Sequence, residues 1–212
     1  MRAGLALLLM IGFIVLGFAI STAAIESSDR MIGDFLHSLR AEGLNSMMSV
    51  VGGLGATSAF AVVLALGAAV LLWLRKGKEA LLLVVTLIAA WLSNSLLKNW
   101  IARERPVDWE RLAEADGYSF PSGNAMISLA FYGLIALMLL RSGNGWGRSA
   151  AIVVYIFIFL IGVSRIYLGV HYASDIIGGF LAGGTLLALA ALALRTKQDR
   201  KTDYYFKNVI KR

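Results

Sequence analysis

No cysteine occurs anywhere in the chain, so disulfides, thiolate metal sites and cysteine nucleophiles are excluded in any redox compartment. Histidine is almost as scarce. With only His37 and His171 available, a histidine-rich zinc site is not expected, because catalytic zinc usually takes several imidazole or thiolate ligands. Charged residues make up only 16% of the 212 positions, too few for an ordinary soluble domain. The formal net charge of +7 does not describe a nucleic-acid surface either, since the basic residues lie scattered between apolar runs and form no contiguous stripe. There is no repeat of solenoid period and no low-complexity tract. Gly52, Gly53 and Gly55 form no nucleotide fingerprint, because no βαβ context surrounds them.

What is present in excess is apolar surface. Hydrophobic residues reach 58% and mean hydropathy is +0.74, which makes the bilayer the chain's solvent. Uncharged runs cover residues 3–25, 43–74, 80–97, 117–140, 149–164 and 176–194. A helix needs about 20 apolar residues to cross the hydrocarbon, so the expected fold is all-α, a six-transmembrane-helix bundle forming one membrane domain over 1–212. The expected spans are about 3–25, 54–74, 79–98, 123–141, 149–168 and 172–194, followed by a basic cytoplasmic tail at 195–212. The second run exceeds a span, so its helix is expected to start near Leu54 with residues 43–52 outside. The first run ends in small residues like a signal peptide, but its length and the five runs that follow favour a retained anchor. In residues 31–51, Met31, Ile32, Phe35, Leu36 and Leu39 recur at helical spacing, as in an amphipathic helix lying on the bilayer or a solvated connector with one packing face. The glycines at 178, 179, 183 and 184 permit close helix contact within the chain more readily than dimerisation. Oligomeric state is left open.

Lysine and arginine concentrate in alternate connections: Arg2; Arg75, Lys76 and Lys78; Arg141 and Arg148; and the C-terminal tail. The positive-inside rule then makes both termini cytoplasmic and the other connections external. Three polar stretches fall on that outer side, Lys98–Pro106, Pro121–Asn124 and Ser164–Asp175, and ionisable residues at membrane depth warrant a functional reading. Lys98 and Arg105 stand seven apart, about two helical turns, so both are expected to face one direction. Taken alone, Lys98, Arg103 and Arg105 read more readily as ordinary interfacial anchors. Pro121, Ser122, Gly123 and Asn124 precede the fourth run and are expected to form a helix N-terminus. Its free amides suit an anion, while Ser122 suits simple capping. His171 and Asp175 are four apart at the opening of the last run, where the carboxylate can hold the imidazole and raise its basicity.

KNWIARERP, PSGN and SRIYLGVHYASD resemble the three-part signature of the type 2 phosphatidic acid phosphatase superfamily, KxxxxxxRP, PSGH and SRxxxxxHxxxD. The arrangement is similar to its bacterial membrane branch, which includes phosphatidylglycerophosphate and undecaprenyl diphosphate phosphatases. The resemblance implies a metal-independent phosphatase or diphosphatase of a membrane lipid, with no cofactor and the active site at the outer membrane–water interface of the cell membrane. The implied partners are the lipid phosphate and the bilayer, with no nucleic acid. By the same resemblance Lys98, Arg105, Ser122, Gly123 and Arg165 would cradle the phosphoryl group, His171 would be the nucleophile and Asp175 would orient it. Where the pattern has a histidine to protonate the leaving group, this chain has Asn124, which donates a hydrogen bond but releases no proton near neutral pH. Acid catalysis worth about 100- to 10,000-fold is then missing. Two readings stay open: a deliberate inactivating substitution that traps substrate, or a protein that naturally lacks this acid. Beside hydrolysis stand a lipid-phosphate binding or phosphotransfer role and, least favoured, an anion transporter, which would need its cations spread through the membrane depth.

A lipid diphosphate expels a monophosphate whose second pKa is about 6 and which leaves without protonation, whereas a monophosphate expels an alkoxide. Asn124→His is therefore expected to raise phosphate release from a lipid monophosphate by a larger factor than from a lipid diphosphate. Equal factors on the two substrates would refute the link between this position and leaving-group protonation.

Overall fold

A computed structural model describes residues 2–194; the expected basic tail at 195–212 lies outside them. Among the described residues there are eight helices and no strand. They are α1 (Arg2–Ala19), α2 (Ala23–Ser38), α3 (Glu42–Gly53), α4 (Thr57–Trp73), α5 (Gly77–Ile101), α6 (Gly123–Leu140), α7 (Gly145–Tyr167) and α8 (Ala173–Ala193). Four of them, α5 to α8, are individually long and apolar enough to cross a membrane, and the number rises to six if each of the bent pairs α1/α2 and α3/α4 is one span.

The two bends divide runs that look continuous in sequence. The first run does not continue to residue 25: α1 stops at Ala19 and α2 leaves it at 95°. Thr22 marks the turn, donating its hydroxyl to the Ala19 carbonyl at 2.7 Å. The expected amphipathic stretch is likewise two helices. Along α2, Met31, Phe35 and Leu39 turn outward while Asp29 and Gly33 are buried, so one face docks and the other stays apolar and exposed. The segment before Leu54 is helical as α3, and a 52° break at the glycine-rich 52–55 separates it from α4. Many apolar side chains on the outer faces of α1, α4, α5 and α7 remain exposed, as a bundle solvated by lipid requires.

Helix α6 is the core element, packed between α7 and α8 and backed by α5. Its buried Phe131, Ala130 and Leu134 meet Phe60 of α4 and Leu83 and Ala90 of α5. The close approach of α6 and α8 depends on small residues: a Cβ at Gly179 would lie 2.8 Å from the Ser122 carbonyl oxygen, and one at Gly183 would strike the Met126 carbonyl. The glycine pattern thus serves contact within the chain and brings the first turn of α6 against the first turns of α8. Gly184 differs, because a Cβ there would meet only the flexible ends of Leu9 and Leu129. Gly183→Ala is expected to destabilise the detergent-solubilised protein by about 1–3 kcal/mol through overpacking, with Gly184→Ala close to neutral. Thermal unfolding of the two variants compares them, and equal melting temperatures would contradict the backbone contact.

Candidate active site

Helix α5 ends at Ile101 because Ala102 turns left-handed, at φ 51°. Lys98 is in the last helical turn, but Arg105 lies beyond the helix, so the two do not sit on one helical face as their spacing suggests. The loop 102–122 brings them together instead. Lys98 Nζ donates to the Tyr118 carbonyl. Arg105 donates from Nε to Gly117 O at 3.0 Å, from Nη2 to Asp116 O at 2.8 Å and from Nη1 to Val170 O at 2.8 Å. These carbonyls fix the plane of the guanidinium. Burial lowers the Arg105 pKa and the charge of Asp175 opposes that shift, yet a guanidinium stays cationic at neutral pH.

At the start of α6, Ser122 holds the N-cap position but makes no capping hydrogen bond, so the simple capping reading does not describe it. Its hydroxyl is buried and unpartnered. The first helical hydrogen bond of α6 runs from Met126 N to Ser122 O at 3.0 Å, which leaves the amides of Gly123, Asn124 and Ala125 outside the ladder. Ser122 N donates to Asp175 O at 3.0 Å and ties this turn to α8. Asn94 of α5, buried, donates to Pro121 O at 3.2 Å and supports the turn from behind. Asn124 donates from Nδ2 to Gly52 O at 3.4 Å.

Between α7 and α8 the chain reverses at Gly169, whose φ of +74° favours glycine. Val170 N donates to Arg165 O at 3.2 Å across this corner. His171 therefore precedes α8, whose N-cap is Tyr172, and the contact expected along one helical face is made through the helix start. His171 Nδ1 is 3.2 Å from Asp175 Oδ2, and His171 Nε2 is 3.3 Å from Arg105 Nη1. Arginine only donates and an ionised carboxylate only accepts, so the proton belongs on Nδ1 and Nε2 carries the lone pair. Asp175 is saturated: Tyr172 N donates to Oδ2 at 2.9 Å and Arg103 Nη1 to Oδ1 at 2.7 Å. Burial lowers the His171 pKa to about 4, against the raising influence of Asp175 and with help from Arg105 and Lys98.

A cavity of about 880 Å³ joins these pieces. Lys98, Arg105, Gly123, Asn124, Arg165 and His171 line it, while Ser122 and Asp175 stand behind the wall with no exposed surface. Arg165 Nε is buried and unpartnered. Phe60, Trp91 and Ile127 from α4, α5 and α6 add apolar side chains to the same lining. All eight residues singled out in the sequence thus fall in or directly behind one cavity. Three other residues matter here: Asn94 and Asp29, to which sequence reasoning gave no site role, and Arg103, which it weighed only as an interfacial anchor. Asn94 had a signal, a lone amide inside an apolar run. Arg103 was visible only as one more cation beside Arg105, and Asp29 had no motif at all.

A family model described as PAP2 superfamily matches residues 79–199. The chain is 33% identical over 184 residues to phosphatidylglycerophosphatase B of Bacillus subtilis, covering 85% of this chain and 90% of that protein. It is 27% identical over 169 residues to an undecaprenyl-diphosphatase of Sulfolobus acidocaldarius, covering 77% of each. Among solved structures, the transmembrane PAP2-type phosphatidylglycerolphosphate phosphatase of B. subtilis superposes with a TM-score of 0.83 at 32% identity, over 88% of this chain and 94% of that one.

Because the His171 pKa is about 4 in the folded protein against 6.5 in the reference state, the imidazole is expected to stay neutral as pH falls from 7 to 5. The unfolded chain takes up this proton between about 6.5 and 4 and the folded chain does not, so acidification through that window also removes stability. Side-chain ¹⁵N spectra of histidine-labelled protein, with His37→Gln for assignment, measure the titration. A His171 midpoint at 6 or above would contradict the burial argument.

Proposed function

The chain belongs to the PAP2 superfamily, and from that premise we propose that it is a membrane lipid phosphatase or diphosphatase working through a phosphohistidine on His171. The observation that carries this reading is the one cavity in which the His171 Nε2 lone pair faces Arg105 and which Lys98, Arg165 and the apolar Phe60, Trp91 and Ile127 also line. The phosphoryl oxygens take up the guanidinium groups of Arg105 and Arg165, the Lys98 ammonium, the Ser122 hydroxyl and the free amides at the start of α6. The lipid chains lie along Phe60, Trp91 and Ile127.

Nε2 attacks phosphorus in line, a P–N bond forms, and the bond from phosphorus to the leaving oxygen breaks. Since Nδ1 keeps its proton, the ring becomes cationic at this step and Asp175 stabilises it. Water then attacks phosphorus, the P–N bond breaks with its electron pair returning to Nε2, and dihydrogen phosphate departs with both protons of that water. Asn124 gives no proton to the leaving oxygen, so the released lipid must leave as an anion or take its proton from solvent. The substrate is in the class of phosphatidylglycerophosphate, phosphatidate or undecaprenyl diphosphate, the groups named in the relatives or implied by the motifs. The distribution of Lys and Arg supports an outward-facing site in the cell membrane with the termini inside. Lipid-phosphate binding or phosphotransfer with weak hydrolysis is the second reading, favoured by the donor-only chemistry of Asn124.

The test is phosphate release from a panel of phosphatidylglycerophosphate, phosphatidate, diacylglycerol diphosphate and undecaprenyl diphosphate, with the unaltered chain and with Asn124→His. His171→Ala is expected to abolish release, by at least roughly three orders of magnitude. Absence of release from every lipid, even with Asn124→His, overturns the hydrolase reading; retained lipid binding in that case supports the second.

A further inference from the structure

Behind His171, on the side away from the phosphate cavity, lies a buried polar cluster that the mechanism above does not use. Arg103 donates from Nη1 to Asp175 Oδ1 at 2.7 Å and to Ser174 Oγ at 2.7 Å, and from Nη2 to Asp29 Oδ2 at 2.9 Å. Asp29, on α2 and only 2% exposed, also accepts from Ser174 N at 2.7 Å and Ser174 Oγ at 2.5 Å. The Arg103 guanidinium sits 4.3 Å from the centre of the Tyr172 ring. Neither Asp29 nor Arg103 lines the phosphate cavity; both border a separate cavity of about 330 Å³.

From this geometry we infer that Asp29 and Arg103 are positioning residues for the His171–Asp175 pair, so that the docking of α2 holds the nucleophile in its Nδ1–H tautomer. The inference rests on His171 being the nucleophile. A carboxylate is free to turn about its own axis, and Asp175 presents Oδ2 to His171 because Oδ1 is held by Arg103 while Oδ2 also accepts from Tyr172 N. Arg103 in turn is aimed by two carboxylates on opposite sides of its planar fork, a geometry that a lysine cannot reproduce. Asp29 contributes a second restraint by clamping the amide and hydroxyl of Ser174, the residue next to Asp175. Burial alone would lower the Arg103 pKa, yet it is raised, because Asp175 and Asp29 both favour the cation. An amide at position 29 would keep one acceptor but place a donor against Arg103 and the Ser174 hydroxyl, so the clamp opens without loss of side-chain volume.

Side-chain ¹⁵N spectra of the full chain in detergent, assigned with His37→Gln, read the tautomer of His171 whether or not any lipid is hydrolysed. The unaltered protein is expected to be in the Nδ1–H form, and Asp29→Asn is expected to bring in a readily detected share of the Nε2–H form. Should Asp29→Asn fail to fold, Arg103→Lys, which keeps the charge and loses the fork, provides the same comparison. In turnover, kcat is expected to fall roughly 10- to 100-fold, as when the partner behind a ligating histidine is lost in metal enzymes. KM is expected to stay within about two-fold, since neither residue reaches the substrate cavity. Asp29→Glu is expected to restore part of both readouts. An unchanged tautomer in a folded variant overturns the inference, whatever happens to kcat. Absence of phosphate release from the unaltered chain and from Asn124→His overturns the function proposed above and leaves the tautomer comparison to decide this one.

Discussion

Asp175 sits in the first turn of α8 with no exposed surface, and a carboxylate in that position is tolerable only if hydrogen bonds replace its lost water. Each of its oxygens is spoken for: Oδ1 by Arg103, Oδ2 by Tyr172 N and His171 Nδ1. Its main-chain oxygen accepts from Ser122 N, so the same residue joins the start of α8 to the start of α6. The glycines of α8 permit this by letting α6 come close enough for the bond to form. Packing between the two helices and the geometry of the His171–Asp175 pair therefore meet in one residue.

The side of the site proposed to take the phosphoryl group follows a different logic. Most donors there are either held by carbonyl oxygens, as Arg105 is, or left buried without a partner, as Ser122 Oγ and Arg165 Nε are. Buried donors without partners cost free energy, on the order of 1–3 kcal/mol each, and an anion that accepts from them recovers it. Fixing them in advance also avoids reorganisation when charge develops on the phosphoryl oxygens. The low-dielectric surroundings that make such donors costly also make them strong once paired.

This difference decides what could be read from the sequence. Lys98, Arg105, Arg165 and His171 stand out because a charged or titratable group beside an apolar run needs a reason, and Ser122 and Gly123 because they open such a run. Those signals are local. The helix ends are not: Ala102 and Gly169 take left-handed conformations that the surrounding loop requires, and they move Arg105 and His171 off the helices on which regular spacing puts them. The break between α1 and α2 falls inside an uninterrupted apolar run, where hydropathy records no boundary. Asp29 was invisible for a related reason, since it lies among Glu26, Arg30 and Asp34, and only the tertiary fold distinguishes the one acid that is buried.

The cations in front of His171 and the acids behind it create a field across the imidazole, and the field has to meet two opposed demands. In the proposed mechanism the ring starts neutral, which burial, Arg105 and Lys98 favour. During the proposed reaction it accepts positive charge as Nε2 bonds phosphorus, and Asp175 is the acid in contact with the ring. A bare carboxylate at this distance would favour the protonated ring in the resting protein and block the nucleophile. Burial and the two cations in front outweigh that pull, while Arg103, itself held by Asp29, fixes where the carboxylate sits. The carboxylate that burial and the cations outweigh in the resting protein thus stays fixed beside the ring, a balance that suits the proposed nucleophile, which turns cationic only while it holds phosphorus.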